Sequence, residues 1–150
     1  MKDIFNPQTI EEFKVRIQKL NAGSQAQWGK MNVYQMVKHS TGNEQMLLRN
    51  KQFKRLFIGR LFGKMALKSN IKDNAPLSKN SPTHPDLVIK ENGDVERQKK
   101  IWMSLLEQYP KKASSDYKDF VHPFFGKMDS KQVSRFAYKH IDHHLQQFGV

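Results

Sequence analysis

From Asp129 to the end of the chain, Val133, Phe136, Ala137, His140, Ile141, His144 and Phe148 fall along one stripe at helical spacing, and two of these positions are histidine. A stripe of that period belongs to an amphipathic helix whose apolar side faces a core. The rest of the chain must therefore supply helices with matching faces, and three segments do. Asn6-Pro7, followed by a capping box at Thr9-Ile10-Glu11-Glu12, predicts a first helix from about Pro7 to Leu20, with Ile10, Phe13, Ile17 and Leu20 on one side. Asn21-Ala22-Gly23-Ser24 stops it, and Asn32 caps a second helix over roughly Asn32 to Asn50, carrying Val33, Met36, Val37, Ser40 and Leu47. Asp94 caps a third, whose Val95, Gln98, Ile101, Trp102, Leu105 and Leu106 give a broad apolar face that ends before Pro110.

Between the second and third helices lies a long connection, Lys51 to Asp94. It holds one short helix, Phe57 to Lys68, and a Pro-, Ser- and Asn-rich loop from Asn74 to Asn92, with no strand pair. A second loop, Phe120 to Gly126, precedes the last helix. The tripeptide Gly-Lys-Met occurs at Gly29, Gly63 and Gly126, twice directly before an expected N-cap, and reads as the turn chemistry that leads into a helix. The fold class is thus all-α: a four-helix bundle over residues 1–150, in one domain, with a long crossover between helices two and three. The 150 residues include ten Phe, two Trp and seven Met, enough bulky material for one core.

The chain has no cysteine, which excludes disulfides and thiolate metal sites, so a metal would need His, Asp or Glu. The N-terminal residues lack the apolar core of a signal peptide, and no stretch approaches a membrane span, so a soluble, cytoplasmic protein is expected. Net charge is +12, which brings acidic partners into view without choosing among them.

His140 and His144 lie one turn apart on one helix face, the spacing at which two imidazoles can chelate one ion. They also interrupt an apolar stripe, where a polar ring is costly to bury without a partner. Two readings are open at this point: a chelating pair, or ordinary interfacial histidines, one hydrogen-bonded to a neighbour and one half exposed. His143, about 60° round the helix from His140, is not a ligand in the chelating reading. A third ligand would come from another helix, and His39 is the one other histidine expected within a helix. His39 lies roughly 10 Å from the start of the second helix, and the midpoint of His140 and His144 about 9 Å from the end of the last. The three rings share a level only if those two helices run antiparallel, which the long crossover permits.

Four segments then carry a resemblance: WGKMNVYQMVKH at Trp28 to His39, RLFGKMALK at Arg60 to Lys68, HPFFGKM at His122 to Met128, and YKHIDHHLQQFG at Tyr138 to Gly149. Together they resemble a family of unknown function within the DinB-like superfamily of small metal-binding bundles. The resemblance implies four helices with a long crossover from the second to the third. It also implies a divalent metal ion, zinc or nickel, held by His39, His140 and His144, and it points to thiol-dependent transferases among the relatives.

Three neutral nitrogen donors leave a coordination position for water or substrate, as in catalytic sites. Such a site suits a metal-dependent hydrolase or a thiol-dependent transferase. No general base is evident, because Glu44 lies on a different face from His39 and Asp142 points away from His140 and His144. Tyr34, Gln35, Asn43, Gln147 and His122 are candidate pocket residues; His122 either folds over the site or fixes a turn before Pro123.

The rival function is a basic binding module for nucleic acid or an anionic membrane, with the metal structural or absent. It rests on Arg49, Lys51, Lys54, Arg55, Arg60, Lys64, Lys68 and Lys72, a run without an acidic residue interleaved with Leu56, Phe57, Leu61, Phe62 and Met65. The simpler expectation packs that apolar face on the bundle and leaves the lysines in water. Nucleic acid and a membrane surface are then disfavoured as partners, while a small-molecule substrate and a homodimer are compatible.

Overall fold

The computed structural model describes residues 2–150. Five α-helices make up most of it: α1 (Pro7–Gln18), α2 (Val33–Leu47), α3 (Phe57–Ile71), α4 (Val95–Leu106) and α5 (Ser130–Gln147). A two-stranded antiparallel hairpin, β1 (Val121–His122) and β2 (Gly126–Lys127), lies in the segment expected to be plain loop. No helix among the described residues is long and apolar enough to cross a membrane.

Caps set the helix starts. Asn32, Asp94 and Asp129 each accept from the backbone N–H three residues on, at 2.9, 2.9 and 2.8 Å. At α1 the cap is Asn6, accepting from Gln8 N at 2.9 Å, and the expected Thr9 box does not form. Pro7 at the first helical position starts the helix upstream, which places Thr9 inside it and buries it. The second helix ends at Leu47, short of Asn50, because Arg49 adopts a left-handed φ of 64°. The short crossover helix instead runs past Lys68 to Ile71.

Hydrogen bonds at the helix ends fix the directions. α2 and α4 start together, Asn32 Nδ2 donating to Asn92 Oδ1 at 2.6 Å, and finish together, Asn50 Nδ2 donating to Gln108 Oε1 at 3.0 Å. They therefore run parallel, with the crossover between them. Gln147 at the end of α5 donates to the Trp28 carbonyl just ahead of α2, at 2.8 Å, so α5 is antiparallel to both. α1 opposes α4: Lys14 pairs with Glu107 at 2.6 Å, and Lys99, buried in the first half of α4, donates to the carbonyls of Gln18 and Leu20 at the far end of α1. Lys99 thus satisfies carbonyls that the last turn of α1 leaves open.

One apolar core fills the space among α1, α2, α4 and α5, with Phe13, Ile17, Met36, Val37, Leu47, Trp102, Leu106, Val133, Ala137, Ile141 and Leu145 nearly inaccessible. α3 stands outside this core. Its Gly59 and Gly63 press against the hairpin so closely that a Cβ on either would lie 2.4 or 2.0 Å from the Phe124 carbonyl oxygen. Only Leu67 and Ile71 of its apolar side chains are buried. The expectation that its apolar face packs on the bundle is corrected: Phe57, Ile58, Leu61, Phe62 and Met65 are exposed, because the glycine stripe and not the bulky face makes the contact. Gly29 and Gly126 do serve turns, with φ of 84° and 86°, whereas Gly63 is helical and serves close packing.

Candidate metal centre

Antiparallel α2 and α5 bring His39, His140 and His144 to one level, all buried at 4, 8 and 6% exposure. Their ring centroids lie 4.6 to 5.2 Å apart. One nitrogen from each ring falls within 4.8 Å of the other two, a group that could hold a metal ion and the one such group among the described residues.

The outward-facing nitrogens of His39 and His144 are already engaged. His39 Nδ1 lies 3.0 Å from the carbonyl of Leu87, in the crossover, and His144 Nδ1 lies 2.9 Å from Gln147 Oε1. Gln147 cannot flip, since its amide nitrogen donates to the Trp28 carbonyl. A carbonyl oxygen only accepts, so both rings carry their proton on Nδ1 and turn an Nε2 lone pair inward. Metal-ligating imidazoles are oriented in this way by a partner on the other nitrogen.

His39 Nε2 and His140 Nε2 are 3.2 Å apart. Two nitrogens bound ~2.05 Å from one tetrahedral ion would lie about 3.3 Å apart, so the gap fits shared coordination. An ordinary hydrogen bond could also span it. Either way His140 Nδ1 is buried without a hydrogen-bond partner, as an acceptor in the hydrogen-bonded pair and as an N–H donor when Nε2 faces an ion.

Burial is the first cause of depressed basicity in all three rings: His39 is lowered, His140 is held well below the usual imidazole range, and His144 is pushed down to about 3. The rings also depress one another, since two imidazolium charges at this distance would repel. At neutral pH the triad is uncharged, the form in which imidazole binds metal.

The other candidate residues divide clearly. Gln147 belongs to the site, through His144. His143 does not face the group; its ring packs edge-on against Trp28, with centroids 5.8 Å apart, and against His144, at 5.1 Å. His122 fixes the turn: its Nδ1 accepts from Phe124 N and Phe125 N, both at 3.1 Å, inside the hairpin. Burial, then the nearby Arg55 charge, lowers it to about 3. Gln35 completes the α2 capping box, and Tyr34 packs at Gly93 with its hydroxyl near Lys38. Asn43 donates to Glu44 at 3.3 Å, and Tyr109 donates to the other Glu44 oxygen. Burial raises Glu44 to about 7. Asp142 is ion-paired with Arg16 at 2.7 Å. No carboxylate therefore joins the histidines.

Two features escaped the sequence reading. Leu87, far away in the loop, orients His39 through a backbone atom, which no side-chain pattern announces. A cleft of about 460 Å³ lies beside the triad, lined by Gln27, Trp28, Leu77, Lys79 and His143, among others. Since His143 also touches His144, this cleft is one side chain away from the group.

No curated protein and no solved structure matches the chain. A family model described as a protein of unknown function (DUF1569) matches residues 7–149, nearly the whole length, and the chain therefore belongs to that family.

Proposed function

We propose that this chain is a divalent-metal-binding protein of the DinB-like four-helix kind, in which His39, His140 and His144 hold one zinc or nickel ion with a coordination position left open, and that it acts as a thiol-dependent transferase. The observation that carries the reading is the pair of inward Nε2 lone pairs fixed by Leu87 and Gln147. Core histidines would also need an acceptor for each N–H; what they would not need is a third ring bringing its nitrogen within 4.8 Å of these two. When bound, a divalent ion there supplies Lewis acidity, which lowers the pKa of a water or thiol that it takes up.

The chain's own groups favour the thiol. Hydrolysis calls for a base placed to orient water and take its proton, and the nearby carboxylates are committed elsewhere, Glu44 to Tyr109 and Asn43, Asp142 to Arg16. A thiol is acidic enough to need no such base. The cleft beside the triad offers an apolar wall, Trp28 and Leu77, with Lys79 held 4.1 Å over the Trp28 ring. That pairing suits a small thiol bearing a carboxylate, and the buried triad keeps bulk water away from the reacting sulfur. A cytoplasmic location suits the reading, since thiols are kept reduced there.

Metal analysis and cobalt substitution test the proposal. One ion per chain is expected, lost in H39A and H144A, and a small thiol added to the cobalt form should bring a new near-ultraviolet band. Absence of stoichiometric metal, or full retention in the variants, would overturn the metal reading. A loaded cobalt form whose spectrum ignores thiols would overturn the transferase and leave the ion as a staple between α2 and α5.

A further inference from the structure

Nine large hydrophobic side chains are well exposed in the described chain, and five of them sit together on α3: Phe57 at 74%, Ile58 at 52%, Leu61 at 64%, Phe62 at 48% and Met65 at 67%. The other four, Val15, Val88, Ile101 and Val121, are scattered singly, as on any surface. On a helix turning about 100° per residue, the five α3 side chains occupy one arc of about 140°, a continuous apolar face. The opposite arc is spent on the hairpin through Gly59 and Gly63.

Charge borders one flank of this face. Arg60 and Lys64 border it, Lys68 continues it, and a cleft of about 740 Å³ next to α3 is lined by Lys64, Lys68, Lys118 and Lys127 with a single carboxylate, Asp129, which caps α5. Among the described residues, none of Arg60, Lys64, Lys68, Lys118 and Lys127 has an ion-pair partner.

We propose that α3 docks on an anionic phospholipid bilayer, lying in the plane of the interface with Phe57, Ile58, Leu61, Phe62 and Met65 at the acyl boundary and the lysines on headgroup phosphates. This combination of a broad bulky apolar face and a basic border is what an interfacial helix uses. A second copy of the chain fits less well: a two-fold contact through this face sets basic border against basic border, with no acidic residue between Arg49 and Lys72 to compensate. Nucleic acid fits less well too, because Ile58, Leu61 and Met65 offer phosphate and bases nothing. The helix is preformed, so docking orders nothing: Leu56 N donates to the Pro123 carbonyl at 3.0 Å, Arg55 donates to the His122 carbonyl at 2.6 Å, and Arg135 donates to the Ile71 carbonyl at 3.1 Å. This proposal stands apart from the metal reading.

The test is sedimentation of the purified full chain with vesicles of phosphatidylcholine containing ~30% phosphatidylserine or none. Binding is expected to the anionic vesicles only, weakened more than tenfold by L61D with F57D and by K64E with K68E, and reduced as salt rises. The altered positions are exposed, so the circular dichroism spectrum and metal content should stay unchanged, which separates this outcome from failure of the triad. A chain that ignores anionic vesicles overturns the proposal, as do apolar-face variants that bind vesicles unchanged. It is also overturned if the unmodified chain self-associates through Phe57 and Leu61, or binds DNA, in preference to anionic lipid.

Discussion

Gln147 holds His144 by one end of its amide and the Trp28 carbonyl by the other, at 2.9 and 2.8 Å, so a residue that touches no other histidine decides which nitrogen of His144 faces inward. Q147L removes both bonds while keeping the bulk. Metal affinity should fall 10- to 100-fold, the usual consequence of losing an orienting partner. Titration calorimetry of Q147L against Q147E, which retains an acceptor for His144, checks that the effect comes from ring orientation.

His140 carries the opposite lesson, because its Nδ1 is buried without a partner. In the metal-free protein H140L should change stability by no more than about 1 kcal/mol, since it removes the unpartnered Nδ1 but also takes from His39 Nε2 the nitrogen 3.2 Å away. The same variant should show no rise in melting temperature on adding zinc. Thermal melts with and without metal measure both effects at once, and a zinc-induced rise retained in H140L would contradict this account.

His144 and Glu44 give the metal-free protein opposite pH signatures. His144, pushed down to about 3 by burial, stays neutral in the fold while the unfolded chain takes a proton below its ordinary 6.5. The unfolded state therefore binds more protons between pH 6.5 and 3, and stability drops on acidification through that window. Glu44, raised from 4.5 to about 7, binds its proton in the fold first, so its effect appears as stability lost while pH rises from 4.5 to 7. E44Q keeps a neutral group beside Tyr109 and should stabilise the protein at pH 8, by on the order of 3 kcal/mol, with little change at pH 4. H144Q should flatten the acid limb instead. Denaturation curves at pH 4, 6 and 8 separate the two.

Gly63 anchors α3 to the hairpin, and G63V would drive side-chain atoms into the Phe124 carbonyl, 2.0 Å from where a Cβ would sit. A loss of about 1 to 3 kcal/mol is expected. The damage should be local: hydrogen exchange in 55–72 and 121–127 should quicken, while α2 and α5 keep their protection.

How much of this could be read from the residues depends on whether the information is local. The stripe of α5 and the caps Asn32, Asp94 and Asp129 are local, and their helices begin where the spacing put them. The convergence of His39 with His140 and His144 needed one further step, a depth count along two helices joined by a long crossover. Gln35 shows the limit of such reasoning: a polar residue early in α2 serves a cap as readily as a pocket, and the sequence does not distinguish them. His122 shows the same for a turn. α3 misled for a different reason. Its bulky face and its glycine stripe are both periodic, and hydrophobicity suggested the first as the buried side, whereas backbone proximity to Phe124 selected the second. Leu87 left no trace at all, because a carbonyl is common to every residue.

That carbonyl ties the fate of an otherwise wet stretch of chain to the chemistry of a ring. Any event that stiffens the imidazole of residue 39 also tethers the Pro85–Leu87 turn, and anything that releases the ring slackens it. An ion held as proposed would thereby be felt at that turn, some fifty residues away in sequence, where a protease or a spectroscopic label could read it.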